Sequence, residues 1–168
     1  MPPTVPPASK IAVVSKVAAA LVADWENLPD KRIATQLIAE GIRKVHDHAE
    51  SHRGRGKYKG QAHWSRDALK VLSTHQGNVR DASLELSHEH IFPVNELITL
   101  LRRVGRNATP EACASIINKY SGVAIITRLE DELFRTFKLR SAMPLAWDGV
   151  DLWARYKAVG LYEHITDA

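Results

Sequence analysis

The sequence predicts a mainly helical domain with a small β element. Apolar residues recur at helical spacing through most of the chain, and only two short segments have the pattern of strands. The composition, 45% hydrophobic and 25% charged, is ordinary for a packed globular protein. A length of 168 residues suits one core, so we expect an N-terminal arm over residues 1–9 and a single domain over residues 10–168.

The first part of that domain, residues 10–81, has the pattern of helices joined by a glycine-rich loop. Residues 1–9 are proline-rich without periodicity, which predicts a disordered arm. Apolar residues at helical spacing then predict a helix over residues 10–25, and Pro29 would stop any continuation of it. Lys16 interrupts this apolar stretch, so we favour a buried helix over a secretory leader.

The second helix is predicted to start at Asp30, whose side chain can cap it. Its apolar stripe would consist of Ile33, Leu37, Ile38, Ile42 and Val45. Residues 51–60 combine three glycines with alternating Arg and Lys, a pattern that indicates an exposed, mobile loop. Ser65 can cap a short third helix, which a turn at residues 76–78 would end.

The second part, residues 82–138, contains both predicted strands. Residues 82–90 alternate between two faces, and Pro93 would end this strand and open a helix. Thr109 and Pro110 mark the start of another helix. Residues 123–127 are short, apolar and β-branched, so they predict a second strand that pairs near the first, with a helix after it.

The last part, residues 139–168, is predicted to hold one helix ended by Gly160. Trp153 and Tyr156 would share a helical face, for which core packing is favoured over base stacking. We expect Arg155 to be exposed or to pair with Asp151 four residues earlier.

Positive charge is concentrated in one segment. Residues 43–80 hold nine Lys or Arg and three acids, a balance of +6, whereas the whole chain carries +4. Such a segment attracts phosphates, although a solvated basic loop would look the same. The candidate phosphate contacts are Arg53, Arg55, Lys57 and Lys59. Tyr58 and Trp64 lie in the same segment and would either stack on an unpaired base or dock the loop.

The single cysteine, Cys113, excludes an internal disulfide and a cysteine-built zinc site, and it fits a reducing compartment such as the cytoplasm. The apolar stretch near the N-terminus is shorter than the roughly 20 residues that a membrane span needs. We therefore expect no membrane partner.

Three side chains that can bind a metal ion stand at the end of the first strand. His88 and His90 would point to one face and Glu89 to the other. A neutral imidazole can take a proton from water, and a carboxylate suits a hard cation such as Mg²⁺. The alternative is a pair of structural histidines that hydrogen-bond to the backbone.

The segment from Glu89 to Pro93, Glu-His-Ile-Phe-Pro, resembles the Asp-His-Ile-x-Pro signature that opens the ββα-metal finger of HNH endonucleases. Residues 123–134 resemble the second strand and the helix of that finger. The resemblance implies that His90 is the general base and Glu89 a metal ligand, with His88 as a further ligand or an orienting neighbour. The finger helix of the family carries a His or Asn ligand; Glu130 or Asp131 could substitute for it here. Two predicted helices replace the short loop that joins the strands in the family.

This resemblance, with the basic segment, implies a metal-dependent nucleic-acid phosphodiesterase of the HNH type or a degenerate relative. The expected cofactor is a divalent metal, with Mg²⁺ or Mn²⁺ favoured over Zn²⁺, and the expected partner is nucleic acid, with DNA favoured over RNA. Two alternatives stay open: a nucleic-acid-binding regulator without catalysis, and a small protein-interaction or inhibitor module that recognises an acidic protein.

Overall fold

The structure is a computed structural model that describes residues 8–46, 58 and 60–167. Most of the predicted N-terminal arm and of the basic loop lies outside these residues. In chain order the helices are α1 (Ala8–Ala23), α2 (Lys31–Val45), α3 (Arg66–Thr74), α4 (Val79–Ala82), α5 (Val94–Val104), α6 (Pro110–Tyr120), α7 (Arg128–Thr136) and α8 (Ala154–Ala158). The strands are β1 (His63–Ser65), β2 (Leu86–His90), β3 (Val123–Thr127) and β4 (Ile165–Asp167). This mainly helical build with a small sheet is the fold class that the sequence predicts.

The chain forms two compact units that alternate along the sequence. One is helical and contains residues 8–46 and 93–122; the other contains the sheet and is formed by the described residues of 47–92 and 123–168. The two helices between the predicted strands, α5 and α6, pack on α1 and α2.

The helical unit buries one face of each of its four long helices. Its core includes Ile11 and Val22 of α1, Ile38 and Ile42 of α2, Leu97 and Leu101 of α5, and Cys113 and Ile117 of α6. The predicted caps are confirmed: the Asp30 carboxylate accepts hydrogen bonds from the amides of Arg32 and Ile33, and the Thr109 hydroxyl accepts one from the Ala112 amide.

The predicted stripe of α2 is only partly correct. Ile33 and Leu37 are 50% and 53% exposed, whereas Ala34 and Ala39 are buried. The buried face of α2 is therefore rotated about the helix axis from the predicted stripe, toward these alanines. Alanine at these positions leaves room for a neighbouring helix to approach closely, which an assignment based on large apolar residues does not consider.

The sheet has four strands in the order β2-β3-β1-β4. The predicted pairing of the two longer strands is confirmed, because β2 runs antiparallel to β3 with Glu89 opposite Ala124 and His90 opposite Val123. Strand β1 runs parallel to β3 and antiparallel to β4. Neither β1 nor β4 was expected from the sequence.

Strand β3 is covered on both faces, and all five of its residues are buried. Ile125 belongs to a cluster with Trp64 and Leu86, whereas Ala124 and Ile126 belong to a second cluster with Phe134 and other residues. Because successive residues of a strand point to opposite faces, these two clusters lie on opposite sides of the sheet. An unbroken apolar run is typical of a strand buried in this way.

Several element boundaries differ from the expected ones. The strand predicted from residue 82 begins at Leu86, because α4 and a turn occupy the preceding residues and leave Leu84 75% exposed. Helix α1 begins at Ala8, inside the predicted arm, and α8 is shorter than the expected last helix. No helix in the described part of the chain is long and apolar enough to cross a membrane.

Candidate functional site

Strands β2 and β3 and helix α7 form a unit with the order strand, strand, helix. Helix α7 begins at the residue after β3 and packs against both strands. The abrupt change from strand to helix follows from a capping box: the Thr127 hydroxyl accepts from the Glu130 amide at 3.2 Å, and the Glu130 carboxylate accepts from the Thr127 amide at 2.7 Å. This geometry places the start of α7 beside the strand that carries Glu89.

The two candidate histidines stand near each other on the strand. The ring centroids of His88 and His90 are 6.0 Å apart, with their planes perpendicular, as expected for alternate residues of one strand. His90, the candidate base, is 8% exposed, whereas His88 is half-buried. A ligand that reaches the His90 ring must therefore enter a nearly closed environment.

Glu89, the candidate metal ligand, forms an ion pair with the guanidinium of Arg155. The Arg155 side chain is completely buried, whereas that of Glu89 is 18% exposed. Three backbone carbonyls also accept hydrogen bonds from this guanidinium: those of Leu139 at 2.9 Å, Arg140 at 3.2 Å and His90 at 2.8 Å. Arg155 thus ties the end of β2 to the chain after α7, at the centre of the candidate site.

This position of Arg155 corrects the sequence-based expectation. Arg155 is neither exposed nor paired with Asp151, whose carboxylate accepts instead from Lys157 at 2.9 Å. The expected core packing of Trp153 and Tyr156 is confirmed, since their rings touch at 5.1 Å between centroids and Tyr156 is fully buried. No local pattern could have revealed the contact between Arg155 and Glu89, which lie 66 residues apart.

The cluster around Arg155 holds more ionisable groups than one ion pair. Burial raises the pKa of Glu89, and the nearby negative charge of Asp131 adds to this, while Arg155 acts in the opposite direction. Burial also raises the pKa of Tyr156 well above its ordinary value, helped by the charges of Glu89 and Asp131. The Glu89 carboxyl group and the Tyr156 hydroxyl are therefore each influenced by the charges of both Arg155 and Asp131.

Glu130 and Asp131, the two acids at the start of α7, have different environments. One carboxylate oxygen of Glu130 accepts from the Ser65 hydroxyl at 2.7 Å as well as from the amide and hydroxyl of Thr127, so Glu130 has a structural role. Asp131 lies 3.8 Å from the Arg140 guanidinium, and its Oδ1 atom is buried without a hydrogen-bond partner among the described residues. Of the two alternatives, Asp131 is the one whose charge acts on Glu89.

The carboxylates of Glu89 and Asp131 are the chemical type that binds Mg²⁺ or Mn²⁺. Within the described part of the chain, no group of three or more His, Cys, Asp or Glu is arranged to hold a metal ion. Oδ1 of Asp131 and Oε1 of Glu130 are both buried without a hydrogen-bond partner among the described residues, as a potential ligand atom would be, but the Glu89 carboxylate is already neutralised by Arg155. Binding of an ion by both carboxylates requires this ion pair to open.

The residues expected to contact nucleic acid fall into two groups. Arg53, Arg55, Lys57 and Lys59 lie outside the described residues. Tyr58 and Trp64 are core residues, only 2% and 5% exposed. The Tyr58 hydroxyl donates to the Leu86 carbonyl at 3.2 Å, and the Trp64 indole donates to the Gln61 carbonyl at 3.0 Å. Neither ring has a face open to a base, so the geometry corresponds to the docking alternative rather than to base stacking.

Comparison of the chain with protein-family models, with curated proteins and with solved structures finds no match.

Proposed function

We propose that the protein acts on nucleic acid as a metal-dependent phosphodiesterase of the HNH type, in the cytoplasm and with DNA favoured over RNA. The observation that carries the proposal is the ββα unit, in which the candidate base His90 ends one strand while Glu89 of that strand and Asp131 of the helix share one buried charge cluster. The resemblance of residues 89–93 to the HNH signature assigns His90 as the base and Glu89 as a metal ligand, with Asp131 as a substitute for the ligand that the family carries on the helix.

In this mechanism His90 takes a proton from the attacking water, whose oxygen then bonds to phosphorus while the ester oxygen leaves with the electron pair of the broken bond. A divalent ion held by Glu89 and Asp131 would stabilise the negative charge that develops on the phosphate. The basic segment around Arg53, Arg55, Lys57 and Lys59 would hold the phosphate backbone.

The proposal is tested by cleavage of plasmid and single-stranded DNA with Mg²⁺, with Mn²⁺ and with chelator. Metal-dependent cutting by the native chain should be lost in His90→Ala and in the larger His90→Gln variant, while binding persists. His75→Ala serves as the matched control, because His75 is a partly exposed histidine that pairs with Glu85 away from the cluster. Cutting by the His90 variants at the native rate would rule out the assigned base.

One observation favours a second candidate, a nucleic-acid-binding regulator without catalysis. The Arg155 guanidinium supplies the positive charge that a metal would bring to Glu89, so the ββα unit is held together without an ion. This candidate predicts binding to DNA or RNA that weakens steeply from low to physiological salt, with no cutting under any metal. Absence of binding even at low salt would instead favour the protein-interaction alternative.

A further inference from the structure

The helical unit contains a cleft that plays no part in the proposed function. The cleft has a volume of about 310 Å³ and lies between the segment at residues 22–27 and the segment at residues 99–106. Small-molecule sites begin at roughly 300 Å³. The cleft is therefore large enough for a small ligand.

Three arginines give the lining of this cleft many hydrogen-bond donors. Arg102, Arg103 and Arg106 are exposed and form no ion pair with the described residues. The guanidinium of Arg102 lies 4.4 Å from the centroid of the Trp25 ring. Trp25 is 7% exposed, and its buried indole nitrogen has no hydrogen-bond partner among the described residues. Because the Trp25 nitrogen is shielded from solvent, the charged donors accessible from the cleft are those of the three exposed arginines.

The acid in the lining, Glu26, does not balance these charges. Its carboxylate accepts a hydrogen bond from Lys31 at 2.8 Å, and this bond is the main reason why the pKa of Glu26 is lowered. The charges of Arg102 and Arg106 lower that pKa further, so both guanidinium groups interact electrostatically with the same carboxylate. Three guanidinium groups against one committed carboxylate leave an excess of positive charge in the cleft.

The position of the arginines is only partly explained by helix stability. Basic residues in the last turn of a helix interact favourably with its dipole, which accounts for Arg102 and Arg103 in α5. It does not account for Arg106, which follows the end of the helix. Gly105, with φ of +64°, makes the turn there, in a conformation that L side chains rarely adopt.

We propose that this cleft is a binding site for a small phosphate-bearing anion. Planar guanidinium groups bind phosphate oxygens through paired hydrogen bonds, and three arginines line this cleft. The ligand chemistry is a phosphate group, either free or as the phosphate of a nucleotide. The site lies in the helical unit and does not depend on the nuclease proposal.

Titration calorimetry of the full chain at low salt tests the site with inorganic phosphate and with ADP. Both probes should bind saturably if the phosphate group alone is recognised, and tighter ADP binding would assign the nucleoside to the cleft as well. Arg103→Gln and Arg106→Gln should each weaken binding about tenfold, the usual effect of losing a hydrogen bond to a charged group. Arg102 is left intact because its guanidinium packs on Trp25.

Arg32→Gln is the matched control, since it removes the same charge from an exposed site of the same unit. Its affinity for the probes should equal that of the native chain. The proposal is overturned if neither probe binds saturably, or if the control weakens binding as much as Arg106→Gln. Binding of a single-stranded oligonucleotide in the absence of phosphate or ADP binding would also overturn it and would assign the arginines to a polymer surface.

Discussion

Replacing Arg155 with methionine should destabilise the sheet-containing unit strongly. The substitution keeps an unbranched side chain of comparable length but removes the positive charge that neutralises Glu89. It also removes the donor to three backbone carbonyls. Breaking a buried ion pair by removing one partner costs about 3–5 kcal/mol in the free energy of unfolding. For a chain of this size, that loss corresponds to a drop of roughly 10 °C in melting temperature.

The loss of stability caused by Arg155→Met should increase with pH. The pKa of Glu89 is already raised by burial, and Arg155 is the main group that opposes this rise. Without Arg155 the pKa of Glu89 rises further, so the carboxyl can be buried in its neutral form at mildly acidic pH. A group with a raised folded-state pKa stabilises the fold when protonated, and that stability is lost as pH rises through the folded-state pKa. The destabilisation by Arg155→Met should therefore be smaller at pH 5 than at pH 8.

Urea unfolding followed by tryptophan fluorescence at both pH values measures these differences. Arg43→Met is the control, because Arg43 forms an exposed ion pair with Glu40 at 2.6 Å, and such pairs contribute below about 1 kcal/mol. The double variant Glu89→Gln with Arg155→Met should regain part of the lost stability. An Arg155→Met chain that unfolds like the control, or that loses equal stability at both pH values, would refute this account of the buried pair.

Three further predictions concern the sheet-containing unit. Glu130→Ala should cost about 1–3 kcal/mol in the free energy of unfolding, because it leaves the buried hydroxyl of Ser65 without its acceptor and removes the capping box of α7. If urea unfolding shows that the variant is as stable as the native chain, the structural role of Glu130 is contradicted. Ile125→Ala should lower the free energy of unfolding by about 2–5 kcal/mol, whereas Leu145→Ala, at a fully exposed site, should change it by no more than about 0.5 kcal/mol. Similar melting curves for the two variants would argue against a strand β3 that is buried on both faces. Tyr156 should remain protonated in the folded chain above pH 10. Ultraviolet titrations of the folded native chain and of folded Tyr156→Phe should therefore coincide, and the two should differ only after unfolding. An extra tyrosine ionisation in the folded native chain would contradict the burial of Tyr156.

The sequence predicted those parts of the fold that depend on local chemistry. Asp30, Ser65 and Thr109 cap helices as expected, because the interaction between a side chain and the first helical turn involves neighbouring residues only. The apolar, β-branched run at residues 123–127 forms the predicted strand. Strands β1 and β4 were missed because each has three residues and is formed by pairing with strands far along the chain.

The candidate site shows the same division between local and distant effects. The order of strands and helix around Glu89 followed from periodicity, whereas the arginine that neutralises Glu89 comes from a distant helix. Tyr58 and Trp64 appeared in a basic segment, where aromatic rings often stack on bases, yet both are buried in the core. Whether an aromatic ring points inward depends on tertiary packing, which the composition of a segment does not specify.

The arrangement of the sheet has a consequence for the kinetics of folding. No two neighbouring strands of the sheet are joined by a tight turn: β2 and β3 are separated by α5 and α6, and the pair formed by β1 and β4 joins residues as distant as His63 and Asp167, 104 positions apart. Each ladder must therefore close a long loop before its hydrogen bonds compensate for the lost chain entropy. We expect the local helices to form first and the sheet to form last, in the slow phase of refolding.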